Sequence, residues 1–411
     1  MLSELQRWFA EARFGLFIHW GMYAQYGRGE QVLFREHLDL EAYRARAQTF
    51  RPHAYDPESW ASMARDAGMR YAVLTAKHHD GYCLFETAQS TFSSVETGPG
   101  RDLLAEYVRA FRRAGLRVGL YYSLADWMRP AYWRGPDDGA ADFDAYVGSA
   151  HAQVRELCSN YGPIDLLWFD GRWPYDADQW RAKELIETAR HLQPGILIND
   201  RCGLPGDFDT PEREIRASQR PWEACMVSTD RWWGYHDGDR RWKTPTEVIR
   251  MLAQVAEGGG NLLLNVGPRA DGRLPARFCE LLRDVGQWMS RNGEAIYGSE
   301  RGILECSTYG RMSVVGSTVY LHLLYWPGET LTLRGIENRV LRASYLADGW
   351  GIDFQQEGET LTLTGLPRYA VDEAVTVIAI QLEGTPRVAP WARERLWQGD
   401  PRRMLQWAEE Q

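Results

Sequence analysis

The 411-residue sequence has no Cys-x-x-Cys pair. Its six cysteines, Cys83, Cys158, Cys202, Cys225, Cys279 and Cys306, are scattered without zinc-like spacing, so they read as buried thiols. There is no run of about 18 apolar residues, which excludes a spanning helix and any membrane partner of that kind. There is no Lys/Arg-rich block either. The net charge is −9 with both signs dispersed, which argues against nucleic acid as a partner. The N-terminal "MLSELQRWFAEARFGLF" carries Glu4, Arg7, Glu11 and Arg13 where a signal peptide needs an apolar centre. With reduced thiols, a cytoplasmic location is the expectation. No G-x-G-x-x-G follows the first strand-like segment, and no G-x-S-x-G elbow occurs. Gly258-Gly259-Gly260 precedes a strand-like segment, so it reads as a helix stop and turn and not as a phosphate loop.

What is present is an ordinary globular composition, 44% hydrophobic and 25% charged, long enough for one large domain and a smaller one. Aromatic residues make up 12% of the chain and include 18 Trp. Such a content serves a large core. It also suits a sugar, whose ring presents C–H faces for aromatic contact and hydroxyls for hydrogen bonds.

The first three-quarters alternates strand-like and helix-like segments. Apolar strand candidates cover 13–20, 71–76, 117–123, 164–170, 195–200, 224–228 and 261–267. Helical patterns lie between them over 56–68, 101–115, 142–162 and 177–192, and a further one opens at Thr244-Pro245 with Glu247 completing a capping box. This alternation implies a parallel sheet. Seven strands over this length fit an α/β fold of the (β/α)8-like, TIM-type barrel, with one irregular or missing turn, better than an open doubly wound sheet. After about residue 300 the pattern changes to short alternating segments such as "RMSVVGSTVYLHLLYW", "ETLTLRG", "ETLTLTGLP" and "AVTVIAIQLEG", the signature of an antiparallel β-sandwich. The expected division is a barrel over 1–298, a sandwich over 299–386 and a helical tail over 387–411. Trp391, Trp397 and Trp407 in that tail call for burial, either on the barrel or on another subunit of a homo-oligomer.

Parallel barrels gather their chemistry at the C-terminal strand ends. Those ends supply His19-Trp20, then Lys77, His78, His79 and Asp80, then Tyr121-Tyr122, then Trp168 and Asp170, then Asn199-Asp200-Arg201. Glu212, Glu214, Glu223 and Trp232-Trp233 follow. Each has a structural reading. A strand-end histidine commonly bonds the barrel rim, Asp170 before Gly171 can cap a turn, and Asp200 can bridge to Arg201. Yet turn chemistry does not call for Trp, Tyr and His at nearly every strand end. A metal-dependent barrel hydrolase would want His-x-His on the first strand, where His19-Trp20 stands instead. A pair of carboxylates, one at a strand end and one on a nearby loop, suits glycoside hydrolysis.

Seven ordered motifs, "RFGLFIHWGMY", "TAKHHDGYCLFET", "GLYYSLADW", "DLLWFDG", "INDRCG", "WEACM" and "GGGNLLLNVGPRADG", resemble glycoside hydrolase family 29, the retaining α-L-fucosidases, from about residue 5 to residue 298. The resemblance implies that Asp170 is the nucleophile and that no metal or organic cofactor is used. It implies a fucosylated oligosaccharide or glycoconjugate as substrate. The acid/base position varies in the family. Glu212, in "DFDTPE" on a presumed mobile loop, is favoured, and Glu223 is the runner-up. Sugar contacts are implied for His19, His78, His79, Tyr121, Trp168, Arg201 and Trp233. Glu30 is the match to an acidic position that the family often follows with Trp, where this sequence has Gln31. The competing expectation is a non-catalytic, lectin-like fucose-binding protein.

Overall fold

The computed structural model describes residues 4–304, 308–389 and 392. The tail expected over 387–411 therefore falls outside the described residues, except at 387–389 and 392, and so do Trp391, Trp397 and Trp407. The chain divides into two compact units. One comprises residues up to 244 with 260–287, and the other 245–259 with the residues from 288 onward. Among the described residues no helix is long and apolar enough to cross a membrane.

The first unit is built on seven parallel strands: β1 (Phe14–Ile18), β2 (Tyr71–Lys77), β3 (Arg117–Ser123), β4 (Leu166–Asp170), β5 (Leu197–Ile198), β6 (Glu223–Val227) and β7 (Asn261–Val266). They stand in the order β5-β4-β3-β2-β1-β7-β6. Their apolar runs are nearly continuous because both faces are covered, and β1, β2 and β7 are buried at every position. Connecting helices start where the sequence supplies caps. Asp56 and Asp102 accept hydrogen bonds from the Ser59 and Ala105 amides.

An irregular eighth stave fills the space between β5 and β6. Residues 207–213 bridge to β5 through Asn199 and Phe208, and to β6 through Asp209 with Trp222 and Glu212 with Cys225, all in parallel. The amides of Asp207, Asp209 and Arg213 donate to Ile198, Pro221 and Cys225, while those of Glu223 and Cys225 donate back to Asp209 and Pro211. Pro211 has no N–H to give, and Arg213 has a positive φ of 58°, so the stave never becomes a regular strand. It still alternates like one. Phe208 enters the barrel core, Thr210 bonds Arg201, and Glu212 faces the strand-end cavity. The loop expected to carry Glu212 is thus part of the barrel wall.

The inward residues form one cluster, with Phe17, Tyr71, Val73, Tyr121, Leu166, Trp168, Phe208, Cys225 and Leu263 around Phe9 of the N-terminal helix Glu4–Ala12. Gly15 and Gly119 leave room for it, since a Cβ at Gly15 would lie 2.4 Å from the Tyr71 ring. Period-two alternation on β4 then places Asp170 on the same inward face as Leu166 and Trp168, one step beyond the packed core.

Among the described residues the second unit carries two antiparallel sheets. In the five-stranded sheet the order is β12 (Val340–Tyr345), β15 (Thr376–Leu382), β10 (Thr318–Leu323), β9 (Gly310–Val315) and β8 (Glu300–Arg301). The three-stranded sheet runs β11 (Thr330–Arg334), β14 (Thr360–Thr364), β13 (Asp353–Glu357). Leu331, Leu333, Leu361 and Leu363 of the small sheet share a core with Met312, Leu321, Ile378 and Ile380 of the large one. The helix Pro245–Gly258 belongs to this unit, where Glu257 pairs with Arg311 at 2.8 Å.

Candidate active site

The C-terminal ends of the strands open into a cavity of about 140 Å³. Its volume lies below the ~300–1,000 Å³ of sites for drug-sized ligands and suits one small ring. Asp170, at the end of β4, forms part of its wall. Asp170 Oδ2 accepts a hydrogen bond from the Tyr121 hydroxyl at 2.9 Å, and Arg201 Nη1 lies 3.5 Å from Oδ1. Burial opposes its charge, but Arg201, then His79 and the Tyr121 hydroxyl, outweigh burial and hold the carboxyl below the usual carboxylate range. Gly171 is required behind it. Its φ is 68°, and a Cβ there would stand 2.6 Å from Ser123 Oγ and 3.0 Å from His79 Nδ1.

Arg201 joins Asp170 to Glu212. The same Nη1 that faces Asp170 donates to Glu212 Oε2 at 3.0 Å. The two carboxylate oxygens are therefore separated by no more than the sum of their distances to that nitrogen. Such a separation sits at or under the ~6.5 Å lower limit of inverting glycosidases and admits the ~5–5.5 Å of retaining ones. Arg201 is itself fixed: Nε donates to Thr210 Oγ1 at 2.9 Å, Nη2 to the Thr210 carbonyl at 3.0 Å, and the guanidinium lies 4.7 Å over the Trp168 ring. Asp200 does not bridge to Arg201 directly. It accepts from the Thr210 hydroxyl at 2.8 Å, so Thr210 links the two.

Three histidines line the same cavity. His79 Nδ1 lies 2.7 Å from Ser123 Oγ, and Ser123 Oγ donates to the Ala125 carbonyl. His79 Nδ1 is then the donor, which leaves Nε2 as an acceptor 3.8 Å from Asp170. Burial pushes its pKa down to about 4, so the ring is neutral near pH 7. His19 follows the same logic. Asn265 Nδ2 donates to the Trp233 carbonyl, its Oδ1 accepts from His19 Nδ1 at 2.7 Å, and burial lowers the His19 pKa to about 3. His78 is stacked on Tyr121 with planes 9° apart, and its buried Nδ1 has no hydrogen-bond partner in the protein. Neutral imidazoles and an ionised carboxylate facing one small space suit a ligand rich in hydroxyl groups.

His19, His78, His79, Tyr121, Trp168, Asp170, Arg201, Glu212 and Trp233 all line this cavity. Glu30 and Glu223 do not. Glu30 is buried behind Trp233, where Oε2 accepts from the Trp233 and Gly234 amides at 3.1 and 2.8 Å, a backbone-positioning contact. Glu223 lies deeper in the barrel, clamped between the Tyr71 hydroxyl at 2.6 Å and Trp168 Nε1 at 2.7 Å, and burial raises its pKa to about 7. Gln31, Trp173, Cys225 and Phe17 line the cavity without having been expected to. Phe17 and Cys225 lie two residues from His19 and Glu223, so strand alternation pointed to them. Gln31 and Trp173 sit on irregular connections where no period exists.

Residues 2–294 match the family model described as Alpha-L-fucosidase. The tissue α-L-fucosidase of Rattus norvegicus is 33% identical over 359 residues, covering 79% of this chain and 77% of the relative. Among solved structures, α-L-fucosidase isoenzyme 1 from Paenibacillus thiaminolyticus superposes with a TM-score of 0.87 at 39% identity, covering 92% of this chain and 99% of that one. A family 29 α-L-fucosidase from Bacteroides thetaiotaomicron, trapped as a covalent intermediate with 2-fluoro-fucosyl fluoride, gives a TM-score of 0.87 at 26% identity, covering 93% and 97%.

Proposed function

The chain belongs to the α-L-fucosidases of glycoside hydrolase family 29, and on that premise we propose that it is a retaining, exo-acting enzyme in which Asp170 is the nucleophile and Glu212 the acid/base. The observation that carries this reading is the shared hold of Arg201 Nη1 on both carboxylates. The cavity accepts a terminal fucose, with its hydroxyls toward His19, His78 and His79. An Asp170 oxygen attacks the anomeric carbon as the bond to the leaving oxygen breaks, and Glu212 delivers a proton to that oxygen. The product of this step is a fucosyl ester on Asp170. Glu212, now a carboxylate, takes a proton from water while the water oxygen attacks the same carbon. The ester bond breaks, and Asp170 regains its charge with the sugar's configuration retained. Arg201 and the Tyr121 hydroxyl stabilise the carboxylate in the free enzyme and as it departs.

The covalent relative from Bacteroides thetaiotaomicron supports double displacement by analogy. The test is labelling with 2-fluoro-fucosyl fluoride followed by peptide mass mapping. The expected result is one fluorofucosyl adduct, on the peptide containing Asp170, with none in Asp170→Gly. Fucose release by Asp170→Gly at the wild-type rate, or an adduct elsewhere, would overturn the assignment.

A further inference from the structure

Just outside the cavity, one side of the surface is aromatic. Trp173, a cavity-lining residue that is 49% exposed, meets the His79 ring edge-on at 5.3 Å. Trp127 is buried against the same His79 at 5.2 Å. Phe34 lies 5.4 Å from Trp127, and Trp133 lies 5.8 Å from Phe34 with planes 10° apart. Phe34 and Trp133 are 48% and 51% exposed. A run of large aromatic rings facing water is unfavourable unless something covers it.

These rings are held in place. Trp133 Nε1 donates to the Trp127 carbonyl at 2.9 Å, and the Tyr132 hydroxyl donates to the Trp173 carbonyl at 2.6 Å. Phe34 sits on the short helix Val32–Arg35, directly after Gln31 of the cavity wall. The aromatic run is therefore continuous with the cavity and starts at its rim.

We propose that Phe34, Trp133 and Trp173 form an aglycone subsite that stacks against the C–H face of the pyranose ring to which the terminal fucose is attached. This proposal rests on the fucosidase reading above. It identifies the preferred substrate class as fucosylated oligosaccharides, because a small leaving group cannot reach the outer rings. Continuity with the cavity favours the next sugar as occupant over a separate protein partner. A sugar in the cavity delivers its own neighbour to this surface at high effective concentration. Binding energy gained there can be used at the reacting carbon.

The test compares kcat/KM on a fucosylated trisaccharide with kcat/KM on α-L-fucosyl fluoride, which has no sugar aglycone. The variants are Phe34→Ala, Trp133→Ala and Trp133→Phe. A stacked ring contact corresponds to about 3- to 10-fold in kcat/KM. Phe34→Ala and Trp133→Ala should each lose about that factor on the trisaccharide and stay within about twofold of wild type on the fluoride. Trp133→Phe keeps a flat ring and should recover most of the loss. Equal losses on both substrates would show a structural role and overturn the subsite, as would no loss on the trisaccharide. Wild-type protein inert on both substrates would overturn the fucosidase reading itself, and the subsite with it.

Discussion

The Tyr121 hydroxyl, on β3, donates a 2.9 Å hydrogen bond to Asp170 at the end of neighbouring β4. The bond favours the charged carboxylate, because an ionised oxygen accepts it more strongly than a protonated carboxyl does. Tyr121→Phe removes the donor and keeps the ring that stacks on His78 and Trp168. The Asp170 pKa should rise. Hydrogen bonds to charged groups contribute about 1.5–3 kcal/mol, so an upward shift of the acidic limb of kcat/KM by about one pH unit is expected, with kcat down about tenfold. A pH profile from 3 to 9 checks this, and an unmoved limb would remove Tyr121 from the tuning of Asp170.

Arg201 serves both carboxylates with Nη1, and Thr210 with Nε and Nη2 of the same rigid fork. A lysine ammonium is a point charge and cannot reproduce those directions. Arg201→Lys should therefore lose at least about 100-fold in kcat/KM. Arg201→Met should lose more and also destabilise the fold, since it leaves Asp170 charged and largely enclosed; removing one partner of such a pair costs about 3–5 kcal/mol. Thermal unfolding and initial rates on the same preparations separate the two effects.

His79 sets a second limit on the acid side. With its pKa pushed down to about 4 by burial, the ring stays neutral above that pH and offers Nε2 as an acceptor. As pH falls through about 4 the ring gains a proton and loses that acceptor. Inhibition by free L-fucose should weaken over the same interval. An inhibition constant that instead changes around pH 6.5 would mean that His79 is not neutralised by its surroundings.

The seven regular strands were legible because buried parallel strands are continuous apolar runs, and the helices between them begin at caps such as Asp56 and Asp102. The eighth stave was not. Residues 207–213 are polar and contain Pro211, which in an isolated sequence signals a loop. The alternation of Phe208, Thr210 and Glu212 was the available signal, and it is short. In the second unit β13 (Asp353–Glu357) escaped notice for a related reason: as an edge strand paired only with β14, it has little apolar surface to reveal it. The residues gathered in the cavity could be read from strand ends, since alternation carries Trp168 to Asp170 and Phe17 to His19. Glu30 and Glu223 show the limit of that approach. A carboxylate's sequence position does not say whether it faces the cavity, and Glu30 turns to the Trp233 and Gly234 amides while Glu223 turns to Tyr71 and Trp168.

Glu223 is fully buried and Glu212 lines the cavity, so the proposed roles predict different behaviour for the two. Burial raises the Glu223 pKa to about 7, above the ordinary glutamate value of 4.5. The folded state therefore binds its proton more tightly than the unfolded chain does. The contribution to stability is fully present below about pH 4.5 and is lost as pH rises through about 7, with an upper size on the order of 3 kcal/mol. Glu223→Gln keeps the shape, can still accept from Trp168 Nε1, and does not ionise. Its stability relative to wild type should rise between pH 5 and pH 8, which urea unfolding at the two values measures. Asp80, also pushed up to about 7 by burial, contributes the same trend to both proteins and cancels in the comparison. Activity should separate the two glutamates in the other direction. Glu223→Gln should stay within a few-fold of wild type, whereas Glu212→Gln should lose at least about 100-fold on a substrate whose leaving oxygen needs a proton. The reverse ranking would transfer the acid/base role to Glu223 and would require the barrel interior to open to the substrate.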